Sequence, residues 1–526
     1  MSKSFTVRSP SLAFLIALCC SAATSRASIT YPVAFSDPGE TYAAYYSEIT
    51  TSLQAAGARW GQVLSGSGSL EIQVEFTTGI STLDGASFTS GFVHKNGSRD
   101  VYEQGAAYEI RTGTDPNGST PDIRIRINPN YLASEMWFDP DPSSRTAPIP
   151  ANHQDALSLF IHELGHAFVF SGFMNGTTGA LPATYESTFD EQVQFDGSNF
   201  YFVGSSTKSV YGGPVPLTYG NYGHVGNSAP RPGSDLLNDL MNGVSYTFGM
   251  RYDISALDLA IAKDVGLVVI PPAQLQNIST RLKVLTGDNV LIGGFIISGP
   301  SGSTKKVLVR GLGPSLSGFG VPDTLADPLL QLNGPGTAIT NDDWQSDPNM
   351  SQIPPGFAPS NPKESAIVAT LGPGNYTAIL KGADGGSGNG LAEVYDIDGS
   401  SPLKIGNIST RGFVQSGDNV MIGGFFIGGS GSVTVVVRAL GPSLTQFGVV
   451  GAMQDPTLEV HDGNGNTTTN DDWQSAGNSS SIPANLQPTD PRESALLMTL
   501  VPGQYTAIVR GKNETGVALV EVYNLN

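Results

Sequence analysis

His162, Glu163 and His166 stand together in the run His162-Glu163-Leu164-Gly165-His166. Two imidazoles four residues apart share one face of an α-helix. Both can therefore reach one metal ion while the carboxylate beside the first leans toward its open position. Zinc in such a place lowers the pKa of a bound water from about 15.7 toward about 7, and the carboxylate can take the proton and pass it to a leaving group. The pattern makes His162 and His166 candidate zinc ligands and Glu163 the candidate general base, then acid. A chance match on a surface helix is the plain alternative. Against it, the three residues lie in an apolar run, where polar side chains are costly to bury unless something engages them.

The surrounding residues must supply a helix to carry the motif. Leu157, Phe160, Ile161, Leu164 and Phe168 recur at spacings of three and four, with polar Asn152, His153, Gln154 and Asp155 leading in, and predict an amphipathic helix. A catalytic zinc needs a third protein ligand. Of the six histidines, His461 falls in the C-terminal half and His94 in a polar loop. His153 is placed on the motif's helix but, about 900° of rotation before His162, on its opposite side. His224 remains, in Tyr219-Gly220-Asn221-Tyr222-Gly223-His224-Val225-Gly226, where glycines would let the backbone approach the ion.

With these elements the chain resembles the metzincin metalloproteases, the leishmanolysin-like branch most closely. The resemblance rests on His162-Glu163-x-x-His166, the distant His224, and Asp239-Leu240-Met241-Asn242 leading through Gly249 into Asp253-Ile254-Ser255-Ala256-Leu257-Asp258. It covers roughly residues 40 to 268. It implies an α+β zincin-like catalytic domain and places Met241 in a tight turn beneath the metal. It also offers Tyr246 either as a support for a tetrahedral oxyanion or as a core residue. Compact metzincins carry a glycine and a histidine three and six residues after the second ligand, where this chain has Val169 and Gly172. The long gap before His224 suits the leishmanolysin-like branch instead. Glu186, 20 residues after His166 with Asp190 beyond it, stays open as a rival third ligand of the thermolysin type, or as part of an acidic solvated face with Glu191.

Around this unit the chain of 526 residues is long enough for several domains. Residues 1–27, with Lys3 and Arg8 before an apolar stretch and Ser25-Arg26-Ala27 at the end, read as a cleaved secretory signal. Both cysteines, Cys19 and Cys20, lie within it. The exported protein is then without disulfides, without a thiolate zymogen switch, and limited to His, Asp or Glu as zinc ligands. With 46 acidic against 27 basic residues and a net charge of −19, nucleic acid and membrane are poor partners.

Residues 28–268 carry mixed signals: a helix over Tyr42–Val63, strands over Ser69–Thr77 and Asp122–Asn128, and a helix opened by a Ser255/Asp258 capping box. Asp122–Asn128 is the strand expected to align an extended substrate by main-chain pairing. A proline-containing linker spans 269–275. Beyond it the chain is duplicated: Asn277-Ile278-Ser279-Thr280-Arg281 returns as Asn407-Ile408-Ser409-Thr410-Arg411, and Asn341-Asp342-Asp343-Trp344 as Asn470-Asp471-Asp472-Trp473. Short alternating runs broken by Gly, Pro, Asn and Asp predict an antiparallel β-sandwich in each copy, 276–400 and 401–526. These copies resemble modules attached to exported bacterial enzymes and surface proteins.

The Asp342-Asp343 and Asp471-Asp472 pairs are candidates for calcium or for turns, and Trp344 and Trp473 for a glycan or for core packing. The expected function is a secreted zinc endopeptidase acting on protein or peptide. The alternative is an extracellular adhesin whose zinc site is inactive or structural and whose β repeats bind a cell-surface or glycan ligand.

Overall fold

The computed structural model describes residues 29–399 and 401–525, so the leader expected at 1–27 lies outside the described residues. The chain is mixed α/β and falls into two compact units, divided between Pro271 and Pro272.

The first unit is built on a four-stranded sheet in the order Val33–Ser36, Ile72–Phe76, Ile123–Ile127, Leu83–Ser87. The first three strands run parallel and the last antiparallel. Ile123, Ile125 and Ile127 are buried while Arg124 and Arg126 are half-buried, the period-two pattern of a strand with one face in the core. This strand has neighbours on both sides, so Asp122–Asn128 offers no free edge to a substrate. The edge on its far side is Leu83–Ser87, whose Asp, Gly, Ala and Ser give no strand signal.

Helices Tyr46–Val63 and Ala156–Phe168 pack together in the same core. Trp60 fixes the contact: its Nε1 donates to the Ile161 carbonyl at 2.9 Å, and its ring meets Phe168 edge-on, centroids 5.8 Å apart. In Ala156–Phe168 every residue is buried except the half-buried His166, so the helix is enclosed all round rather than amphipathic. It starts later than the periodicity suggested because Asp155 caps it, accepting from the Ser158 amide at 3.1 Å, and the buried Arg145 guanidinium donates to Asp155 at 2.7 Å. His153 therefore precedes the helix instead of riding on its far side. His94 sits in strand Ser90–Asn96 rather than a loop, 3.0 Å from Glu191. The capping box of helix Ala256–Asp264 forms with both of its hydrogen bonds.

In the second unit, two eight-stranded antiparallel sheets run through both copies of the duplication. One takes Ser365–Leu371, Lys305–Leu312, Gly388–Asp396 and Gln274–Val284 from the first copy, then Met421–Gly428, Gly503–Gly511, Pro456–Asp462 and Thr467–Asn470 from the second. The other sheet repeats this order with the copies exchanged. The expected pair of independent sandwiches is thus a single one with a pseudo-twofold axis, and its core mixes residues of both copies. Strand alternation dictates which face of each strand is apolar but not which copy supplies its neighbour. Gln274 and Leu275, placed in the linker by sequence, already belong to the first strand, and Val269 bridges to Leu64 in the first unit.

The repeated Asn-Asp-Asp-Trp segment has a structural part in each copy. Asn341 Oδ1 accepts from the Ala366 amide and Asn470 Oδ1 from the Ala495 amide, both at 2.9 Å. Trp344 and Trp473 are partly buried against small apolar clusters, the packing alternative to a glycan platform. Asp471 takes an ion pair from Lys512 at 2.6 Å. Among the described residues, no three-ligand cluster contains either aspartate pair. No described helix is long and apolar enough to cross a membrane.

Candidate metal centre

Helix Ala156–Phe168 places His162 and His166 one turn apart, and the loop after Leu217 brings His224 to them. The three Nε2 atoms lie 3.1 Å (His162–His166), 3.1 Å (His162–His224) and 3.0 Å (His166–His224) from one another. The approach of His224 needs close backbone contacts. A Cβ on Gly223 would stand 2.8 Å from the Phe170 carbonyl, and one on Gly243 only 2.7 Å from the His224 Cβ. The first glycine was visible as a flank of His224; Gly243 carries no local signal.

The outer ring nitrogens settle what the inner ones can do. His162 Nδ1 donates to the Leu240 carbonyl at 2.7 Å and His166 Nδ1 to the Phe170 carbonyl at 2.8 Å. With the proton on Nδ1, each Nε2 carries a lone pair, so the 3.1 Å contact between them cannot be a hydrogen bond. A proton on His224 can serve one of them but cannot close all three contacts. Burial, and for His162 also the neighbouring His166, lowers its pKa to about 3. Burial likewise lowers His166 and, with the two other imidazoles, His224. Neutral imidazoles with converging lone pairs are the donor set of a transition-metal ion at about 2.0–2.1 Å, so these residues fit zinc.

Glu163 is buried beside them. Burial first, then the charge of Asp84, pushes its pKa well above the ordinary carboxylate range, and the Gly85 amide offsets part of that rise. Asp84 itself lies on the edge strand and is held by Arg126, whose Nε donates to it at 2.8 Å. A cavity of about 650 Å³ opens over the histidines, between the edge strand residues Leu83, Asp84 and Gly85 and the segments Asn221–His224 and Asn242–Tyr246.

Met241 is fully buried beneath the helix, where a Cβ on Gly165 would stand 2.7 Å from its sulfur. Its turn is closed by Asp239, which accepts from the Met241 amide at 3.0 Å. The residue before it, Leu240, supplies the carbonyl that orients His162, so this turn sets a tautomer as well as a floor. Tyr246 also donates to that carbonyl, and its hydroxyl is 2.8 Å from His162 Nδ1. The hydroxyl therefore sits on the outer side of the ring, away from the converging Nε2 atoms, and the Tyr246 ring stacks on Tyr252 at 4.2 Å.

The two departures from the compact motif have local explanations. Val169 ends the helix at φ −136°, a conformation that does not call for glycine. A side chain at Gly172 would collide with Asp190 and Tyr222, which instead tie down the chain beyond the helix. Asp190 accepts from the Phe173 amide at 2.8 Å, and the Tyr222 hydroxyl from the Met174 amide at 2.7 Å. Glu186, the rival ligand, is buried elsewhere, in strand Tyr185–Ser187, where it accepts from Asn96 at 2.9 Å. Neither it nor Asp190 joins the histidine cluster. A scan against protein-family models and a search of curated proteins found no match to this chain.

Proposed function

We propose that this chain is an exported zinc-dependent endopeptidase of the metzincin type, with its catalytic centre at His162, His166 and His224. The observation that carries the reading is the convergence of three imidazole Nε2 atoms within 3.1 Å of one another, a set of contacts that hydrogen bonds among them cannot all close. Zinc held there would supply a Lewis acid and an activated water.

The protein's own part begins with Glu163. Its high proton affinity, set by burial and by Asp84, suits it to take a proton from the attacking water and deliver it to the leaving amine. The edge strand Leu83–Ser87 borders the cavity and has a neighbour on one side only, so an extended peptide can add to it as a further antiparallel strand. Leu240 and Phe170 carbonyls hold the rings of His162 and His166 in place through the cycle.

The test is hydrolysis of unfolded casein by the full chain. Cleavage should stop with 1,10-phenanthroline and return on adding zinc. Cleavage indifferent to the chelator would remove the metal from the reading, and zinc-loaded protein that leaves casein intact would remove the peptidase.

A further inference from the structure

Away from the histidines, a second set of acidic side chains closes on a point with no counter-ion. Glu109 on helix Gly105–Thr112, Asp122 just before strand Ile123–Ile127, and Asp115 in the loop between them each present a carboxylate oxygen, all within 4.8 Å of one another. Asp122 is 0 % exposed and Glu109 4 %. One oxygen of each is satisfied: Glu109 Oε1 accepts from the Ser69 amide at 2.8 Å, and Asp122 Oδ2 from the Glu71 amide at 2.9 Å. Their other oxygens, Glu109 Oε2 and Asp122 Oδ1, are buried with no hydrogen-bond donor. A cavity of about 430 Å³ adjoins Glu109 and Asp115, lined also by Ser69 and Glu71 and by no lysine or arginine.

Buried carboxylates facing one another without a cation cannot all stay ionised. Asp122 is accordingly pushed up to about 7, by burial first and then by Glu71 and Glu109, and Glu109 is raised chiefly by burial. A hard divalent cation removes this conflict and gives the two orphaned oxygens a partner. The donors are all oxygen, which selects against zinc and copper. Two fixed carboxylates and a third on a loop suit the irregular, many-oxygen shell of calcium better than the strict octahedron of magnesium.

We propose that Glu109, Asp115 and Asp122 form a calcium site. Calcium there fastens the 113–121 loop to the sheet. Asp122 is also the residue whose carbonyl accepts from the Phe88 amide at 2.8 Å, at the end of the edge strand that borders the histidine cavity. The ion thus holds one wall of that cavity in register.

The experiment is calorimetric titration of calcium chloride into the full chain in calcium-depleted buffer, paired with thermal unfolding, for wild type, Asp122→Asn and Asp115→Asn. Wild type should bind one calcium with a Kd of about 10⁻⁴ M or tighter and melt several degrees higher in millimolar calcium. Both variants should bind at least tenfold more weakly and lose the shift. Asp115 is exposed, so its variant decides the matter if Asp122→Asn does not fold. A wild type indifferent to calcium, with Asp122→Asn melting higher than wild type, would mean that the carboxylates share a proton instead. A calcium shift that survives both substitutions would place the ion elsewhere and overturn the assignment.

Discussion

Gly85 on the edge strand and Glu163 on the motif's helix touch so closely that a methyl group does not fit between them. A Cβ on Gly85 would lie 2.6 Å from the Glu163 Cβ and 2.7 Å from the Glu163 carbonyl oxygen. The obstacle is mostly helix backbone, which cannot swing aside. Gly85→Ala should destabilise the first unit by about 1–3 kcal/mol and, by moving the strand off Glu163, lower casein hydrolysis with zinc still bound. Unchanged melting and activity would show that the strand has slack the structure does not suggest.

Of the three histidines proposed to hold zinc, His224 comes from farthest along the chain, 62 residues from His162. His224→Ala should leave a folded protein that carries well under one zinc after gel filtration, against about one for wild type. Metal analysis with circular dichroism checks this. Full zinc content in the variant would return the third position to another residue.

The second unit makes a different demand. The Oγ1 atoms of Thr280 and Thr410, equivalent residues of the two copies, are 2.7 Å apart at the pseudo-twofold axis, and strands Gln274–Val284 and Met421–Gly428 pair directly across the copies. The first copy alone would expose those pairing edges and half of a shared core. Expressed by itself it should be unfolded, or folded only as a dimer that rebuilds the missing strands. A dispersed NMR spectrum from a monomer of residues 272–403 would contradict this.

Asp122 gives stability a pH dependence. Its folded-state pKa near 7 lies above the ordinary 3.8, so the unfolded chain loses this proton first as pH rises. Its contribution is complete below about pH 4 and is lost on the way to about pH 7. In calcium-depleted buffer the melting temperature of wild type should fall across that window more steeply than that of Asp122→Asn. Parallel curves would mean that Asp122 ionises alike in both states.

How much of this was legible in the sequence depended on whether the signal was local. The helix around His162, the Ser255/Asp258 capping box and the duplication each rest on residues close in the chain or on direct repetition. His224 could be singled out because so few histidines compete with it. Leu83–Ser87 has no signature in the sequence because a strand of small and polar residues carries no propensity signal, and its place beside Glu163 comes from sheet order alone. Joining the two copies into one sandwich depends on pairing between distant strands, which alternation does not encode. The acidic site was hidden for the same reason: Glu109 and Asp122 sit on different elements, and only the fold leaves their oxygens facing without a donor.

In the proposed peptidase, a zinc held by the three histidines works through Glu163. The most direct test of this is Glu163→Gln, with bound zinc and casein cleavage measured on the same preparation. About one zinc per chain is expected, as in wild type, with cleavage reduced by about 10²–10⁴-fold. Cleavage at the wild-type rate by a zinc-loaded Glu163→Gln protein would contradict that role of Glu163.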